Sequence, residues 1–219
     1  MRRDRLDAPP QPASTRSLAA VLAVLWLSAC AGWLERPAAP PPPEAPTPAS
    51  VAPSAAPPRC ERIEGLEVRK SLRTLIARCR GGGELAFPIA LSREPGAKRA
   101  RGDQRTPEGA YRIAAPGRPS RFHRFVPIDY PSLADAEAAL AEGRITAGER
   151  DAIALAHREG RLPPQDTALG GHLGFHGEGT RWRGDLDLDW TEGCFALADE
   201  AIETLSAGAP PGTPVQILP

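Results

Sequence analysis

Asp189-Trp190-Thr191-Glu192-Gly193-Cys194, read together with Leu173-Gly174-Phe175-His176-Gly177, is the part of the chain on which its reading turns. Cys194 stands just ahead of a stretch of helical period, Asp199 to Ser206. Gly193 lets the backbone turn sharply and approach another molecule closely. Peptide N–H groups at such a turn can converge on one point, as a developing oxyanion requires. A thiol near the start of a helix with an imidazole close by has its thiolate favoured. His176 ends a short strand-like run closed by glycine and is the best-placed imidazole. A cysteine or a histidine alone is more often structural. The pair with its glycines points instead to a thiol nucleophile and a base.

Outward from this pair the pattern is mostly β. Gly65–Arg69 and Leu72–Arg78 alternate apolar and polar residues around Lys70-Ser71, which predicts a hairpin. Glu84–Ser92, Tyr111–Ala114, Phe122–Ile128 and a closing Val215–Leu218 read as further strands. The period changes in the middle. Ser132-Leu133-Ala134-Asp135 and Thr146-Ala147-Gly148-Glu149 are capping-box starts, with Gly143 and Gly160 as stops. The spacing therefore predicts a mixed, mostly β domain over 60–219, with a short helical insertion at about 132–160 and a helix after Cys194.

The ends of the chain differ from this domain. Arg2, Arg3, Arg5 and Arg16 precede an apolar run, Leu18–Leu27, and then Leu27-Ser28-Ala29-Cys30. That is the layout of a secretory signal, too short for a comfortable membrane span of ~20 residues. Its last four residues resemble the lipobox of bacterial lipoproteins, which would make 1–29 a signal peptide and Cys30 the lipidated residue; an ordinary signal or short anchor with an incidental cysteine is the alternative. In Gram-negative lipoproteins Ala31, rather than Asp, at the next position implies the outer membrane. Residues 30–59 follow as a linker: Pro37–Pro58 holds 10 Pro and 7 Ala in 22 residues, with Glu44 its only charge. Such a tract favours extended polyproline, reaching roughly 60–70 Å at ~3.1 Å per residue, or is a spacer of no set length.

The whole chain carries 27 basic and 27 acidic residues; without residues 1–29, which hold four and two of these, 23 face 25, a net of −2. Nucleic acid, which needs a basic face, is thus not an expected partner. Of the remaining cysteines, Cys60 and Cys79 flank the hairpin and fall nearly opposite each other about a turn at 70–71, close enough for a disulfide in an oxidising compartment; two free thiols are the other possibility. Cys194 is left unpaired.

These motifs resemble a known family, the L,D-transpeptidase catalytic domain (YkuD type) of peptidoglycan enzymes. The family has His-Gly and, 18 residues beyond the His, a cysteine preceded by Ser/Thr-x-Gly; here His176-Gly177 and Thr191-Glu192-Gly193-Cys194 match, and 194 − 176 = 18. Gly102-Asp103-Gln104-Arg105-Thr106-Pro107-Glu108-Gly109-Ala110-Tyr111 is similar to another family segment, as are Ser120-Arg121-Phe122-His123, Asp129-Tyr130-Pro131 and Gly212-Thr213-Pro214-Val215. The resemblance implies a β-sandwich or barrel, no cofactor and a peptidoglycan enzyme; the lipobox adds an anchor by lipid alone in the periplasm of a Gram-negative bacterium. Cys194 would attack the carbonyl after the third residue of a tetrapeptide stem, His176 would act as base and then acid, and N–H groups of Glu192, Gly193 and Cys194 would hold the oxyanion. The Gly177 carbonyl or the Thr191 hydroxyl would orient His176. One departure leaves the outcome open: the commonest family pattern has Arg two residues after the cysteine, where this chain has Ala196. The acceptor is then a stem amine, the lysine of a wall-linked lipoprotein, or water; an inactive wall tether is a further reading.

Other signals are weaker. Asp185, Asp187 and Asp189 lack the glycine and glutamate of an EF-hand loop, having Trp190 and Ala196 instead. His172 and His176 have a helical zinc spacing, but the intervening Gly174 argues for a strand, so no metal is expected. On a strand His172 would share a face with His176. Arg121, His123, His172 and Trp190 are the candidates for a substrate groove.

Overall fold

Two sheets sharing one apolar core carry the domain in a computed structural model of the chain, which describes residues 60–181 and 189–219. The expected signal peptide, Cys30, the Pro/Ala linker, Asp185 and Asp187 lie outside the described residues. Sheet 1 is built from β1 (Ile63–Arg69), β2 (Thr74–Cys79), β3 (Glu84–Pro88), β4 (Gly109–Arg112) and β9 (Pro214–Leu218), in the order β3-β2-β1-β9-β4. Sheet 2 is built from β5 (Arg118–Ser120), β6 (His123–Pro127), β7 (Gly174–His176) and β8 (Phe195–Ala196), in that order. Inward residues alternate with outward ones along the strands, as in Leu66 and Val68 of β1 or Val215 and Ile217 of β9.

The sheets do not close into a barrel. They are tied at two corners by isolated bridges: Ala90 to Ala196 beyond the end of β3, and Ile113 to Ile128 beyond β4. A chain that begins as the edge of sheet 1 at Glu84 thus ends beside β8, at the edge of sheet 2.

The predicted hairpin is present, with its turn displaced. Leu66 pairs with Ala77 and Arg69 with Thr74, because a 3-10 turn at Lys70–Leu72 and Arg73 in the left-handed region (φ 48°) join the strands. The tight turn expected at Lys70-Ser71 is therefore replaced by a longer one. A register shift between Ile63 and Gly65 puts Ile63 opposite Cys79, and Cys60 still reaches it: the Cys60–Cys79 disulfide forms with Cα atoms 5.3 Å apart.

Helices α1 (Leu133–Ala141) and α2 (Ala147–Arg158) make the insertion, and both capping boxes are in place. Ser132 Oγ accepts from Asp135 N at 3.1 Å while Asp135 Oδ2 accepts from Ser132 N at 2.8 Å. Thr146 and Glu149 repeat the exchange. The insertion buries a small core of its own around Ala136, Ala139, Ile145, Ile153 and Leu169. Helix α3 (Asp199–Gly208) packs Ile202 and Leu205 into the main core behind β6 and β7.

Candidate active site

β7 and β8 run parallel, Phe175 opposite Phe195 and His176 opposite Ala196. Matched residues of a parallel pair share a face, and side chains alternate along each strand. Phe175 and Phe195 turn into the core, where their rings stack with centroids 4.8 Å apart. That sends His176, and Cys194 one residue before Phe195, to the opposite face. Both line one cavity of about 320 Å³, together with Arg121, Phe122, Trp190 and His172.

The loop that carries Cys194 is held by the chain beyond β3. Leu91 O accepts from Trp190 N (2.9 Å) and Thr191 N (3.0 Å), and Ala90 and Ala196 exchange two bonds of 2.9 Å. Asp189 fastens the near end: its Oδ1 accepts from Leu91 N at 2.8 Å, and it is ion-paired with Arg73. Gly193, at φ 119°, sits where a Cβ would meet Arg105 O at 2.7 Å and Leu173 Cδ2 at 3.2 Å, so both its conformation and its space require glycine. Thr191 Oγ1 donates to Cys194 O (2.8 Å) and accepts from Gly193 N (3.3 Å), which closes the turn on itself.

His176 is 3% exposed. Phe122 stacks on its ring at 4.6 Å, Trp190 meets it edge-on at 5.5 Å, and the Arg121 guanidinium lies 4.7 Å over Phe122. Its Nδ1 is 2.7 Å from Gly177 O. A carbonyl only accepts, so Nδ1 carries the proton and the Nε2 lone pair is left as the base. Burial lowers the imidazole below its ordinary value; the bond to Gly177 opposes this and the positive charge of Arg121 adds to it.

Burial pushes the half-buried Cys194 thiol up to about 11, against smaller downward pulls from the Gly174 N–H and Lys98 and with Glu192 adding to the rise. Its Sγ lies 3.6 Å from His172 O, a weak bond. A helix start close to Cys194 would favour the thiolate. Helix α3 begins at Asp199, as expected, with β8 between it and Cys194. Both shifts favour the uncharged forms, a thiol beside an imidazole.

The other candidates divide. Arg121, His172, Trp190, Thr191 and Glu192 line the cavity with Cys194 and His176. His172 has a left-handed backbone (φ 59°) ahead of β7, so it offers its carbonyl to the thiol and does not continue the strand face expected of it. His123 turns to α3, with Nε2 2.8 Å from Glu203 and Nδ1 3.9 Å from Asp199. Gly177, and not Thr191, holds the imidazole. Ala196 is fully buried opposite His176. No residue of the helical insertion is among the described residues lining the cavity.

Phe122, the clamp at Ala90–Leu91, and Asp199 were not singled out from sequence. Phe122 stood inside a quoted motif, but nothing in one chain says which ring covers an imidazole. Asp199 is placed by α3 packing back against the 177–179 turn, a tertiary contact without a spacing signature. Its Oδ1 accepts from Glu178 N at 2.8 Å and Gly179 N at 3.3 Å. Burial and the nearby Asp199 and Glu200 push the Glu178 carboxyl up to about 7.

Comparison with known proteins bears on this arrangement. The family model of the L,D-transpeptidase catalytic domain matches residues 64–217. No curated protein matches the chain. Among solved structures, an L,D-transpeptidase from Xylanimonas cellulosilytica DSM 15894 is 15% identical, with 74% of this chain and 63% of that one covered at a TM-score of 0.38. Bdellovibrio bacteriovorus Bd1075 is 16% identical (73% and 51% covered, TM-score 0.37), and an L,D-transpeptidase from Mycobacterium smegmatis 12% (72% and 59%, TM-score 0.40). The chain thus spans 51% to 63% of the length of these structures.

Proposed function

The chain belongs to the L,D-transpeptidase catalytic domain family, and from that premise we propose that it is a cell-wall acyltransferase working through a Cys194 acyl-enzyme on peptidoglycan stem peptides. The observation that carries the reading is the pairing itself: thiol and imidazole on one face of β7 and β8, in one cavity, with the imidazole tautomer set by Gly177. Starting from the neutral pair, Cys194 gives its proton to His176 Nε2 as Sγ bonds to the carbonyl carbon after the third stem residue. The terminal D-alanine leaves, taking that proton on its amine. An acceptor then gives a proton to His176 and displaces the sulfur, which restores the thiol. The turn at Glu192–Cys194 supplies the N–H donors for the oxyanion, and one such donor is worth ~10²–10³ in rate. Gly193 N already bonds Thr191 Oγ1, which leaves the N–H groups of Glu192 and Cys194 for this task.

Water as acceptor is the second reading. It is favoured by Ala196, a buried small residue where the commonest family pattern has Arg, so no cation stands beside His176 at that position to engage a second stem. A wall-linked lipoprotein would be the substrate to try in that case. The leader read in residues 1–29 supports an exported protein, tethered through Cys30 and the Pro/Ala linker in the periplasm. No helix among the described residues is long and apolar enough to cross a membrane.

Mass spectrometry of the full chain with disaccharide tetrapeptides, beside Cys194→Ala, tests this. A stem dimer joined between third residues and absent in the variant establishes the transpeptidase. A shortened stem as the sole Cys194-dependent product moves the assignment to the hydrolase, and unchanged stems to an inactive tether.

A further inference from the structure

The peptide unit between Gly177 and Glu178 is hydrogen-bonded at both ends. Its carbonyl accepts from His176 Nδ1 at 2.7 Å, and its N–H donates to Asp199 Oδ1 at 2.8 Å. We infer that Asp199 is a positioning residue for His176, acting through this peptide bond. The inference rests on His176 being the base of the proposed reaction.

A peptide carries a dipole of ≈ 3.5 D along the line joining its carbonyl and N–H, and bonds in such a chain polarise one another. A carboxylate on the N–H end draws that proton and leaves the carbonyl oxygen more negative. The oxygen then holds Nδ1–H more firmly and steadies the imidazolium formed when Cys194 gives up its proton. A carboxylate bonded directly to an imidazole does the same at shorter range. Here the His176 ring is stacked under Phe122 and the peptide stands between acid and base.

Packing fixes the chain of contacts. A Cβ on Gly177 would collide with Asp199 Oδ1 and lie 2.9 Å from Phe122 O, so Asp199 presses directly against the glycine. Gly177 N is tied to Arg124 O at 3.2 Å, His176 O accepts from Leu197 N at 2.9 Å, and Asp199 also takes Gly179 N. The titratable and charged groups around the relay are Glu178, Glu200 and His123 beside Asp199, Glu203 and Arg124 beyond His123, and Arg121 opposing from the Phe122 side.

Charge and shape separate in the variants. Asp199→Asn keeps an acceptor oxygen and removes the charge; Asp199→Ala removes both. The full chain is followed by His176 nitrogen NMR across pH, by the Cys194 acylation rate, and by the thermal midpoint. Glu178→Gln serves as the background that clears its carboxyl titration from the same window. Asp199→Asn is expected to keep the thermal midpoint, lower the His176 titration midpoint and slow acylation ~10-fold, the low end of what losing the partner behind a metal-bound histidine costs. Asp199→Ala is expected to lose more. An unmoved His176 midpoint in Asp199→Asn overturns the inference, even if Asp199→Ala fails to fold. If the unaltered chain gives no Cys194-dependent product, the proposed reaction fails, while the His176 titration still decides the relay.

Discussion

Cys194 is asked to ionise in a place that resists charge. Its thiol is pushed up to about 11 and His176 is pushed down, both by burial, so between the imidazole's value and the thiol's the two sit uncharged together. Alkylation by iodoacetamide reads the thiolate fraction, which grows about tenfold per pH unit below the pKa. Reactivity is therefore expected to climb steadily from pH 7 to pH 10; a plateau already at pH 7 would show a thiol ionised at rest. At this scale the sequence showed the pair and its spacing, since glycines beside Cys194 and His176 mark positions where backbone must bend or be approached. It did not show the surroundings that set the charge state, because Phe122 and Lys98 arrive from two other parts of the chain.

Among the elements, the helices were the most legible, because their ends are local chemistry. Ser132 and Thr146 cap α1 and α2 through bonds reaching only three residues ahead. Ser132→Ala is expected to cost about 1 kcal/mol of stability. It should leave Cys194-dependent product formation unchanged, since the insertion adds none of the described residues around the cavity. Thermal melts beside product assays check both halves; lost activity at intact stability would mean that α1 reaches the substrate. Asp135 also takes a 3.0 Å bond from Tyr111 Oη, so the cap pins the insertion to β4 as well as starting the helix. The hairpin was less legible. Its turn depends on Arg73 adopting φ 48°, a conformation that arginine does not advertise. β5, three residues with Pro119 at the centre, has too few positions to show any alternation.

For the whole molecule the disulfide is the simplest lever. Cys60 and Cys79 close a loop with a sequence separation of 19, worth about 3 kcal/mol on the chain-entropy view. The double variant Cys60→Ser, Cys79→Ser is expected to unfold at a lower temperature in calorimetry. Its Cys194 chemistry should persist at low temperature, because the bridge ties the far end of sheet 1 while Cys194 is held by β7 and the chain beyond β3. Equal melting with and without the bridge would place the stability elsewhere. A mostly β domain was readable from strand patterns and its sandwich or barrel form only from the family resemblance; its openness was not. Whether a row of strands closes into a barrel is decided by partners such as Ala90 with Ala196, about a hundred residues apart in the chain.

β9 lies inside sheet 1, between β1 and β4, though it is the last described strand in chain order. β1 pairs with it across most of the domain's length, and β4 has β9 as its sheet neighbour. Sheet 1 therefore cannot be finished during synthesis until residues 214–218 exist, and the core that backs β7 and β8 is shared with that sheet. Contacts so distant in sequence form late. A growing or unfolded chain carries its cysteine and histidine as unrelated groups, and only threading of this last, interior strand arms them.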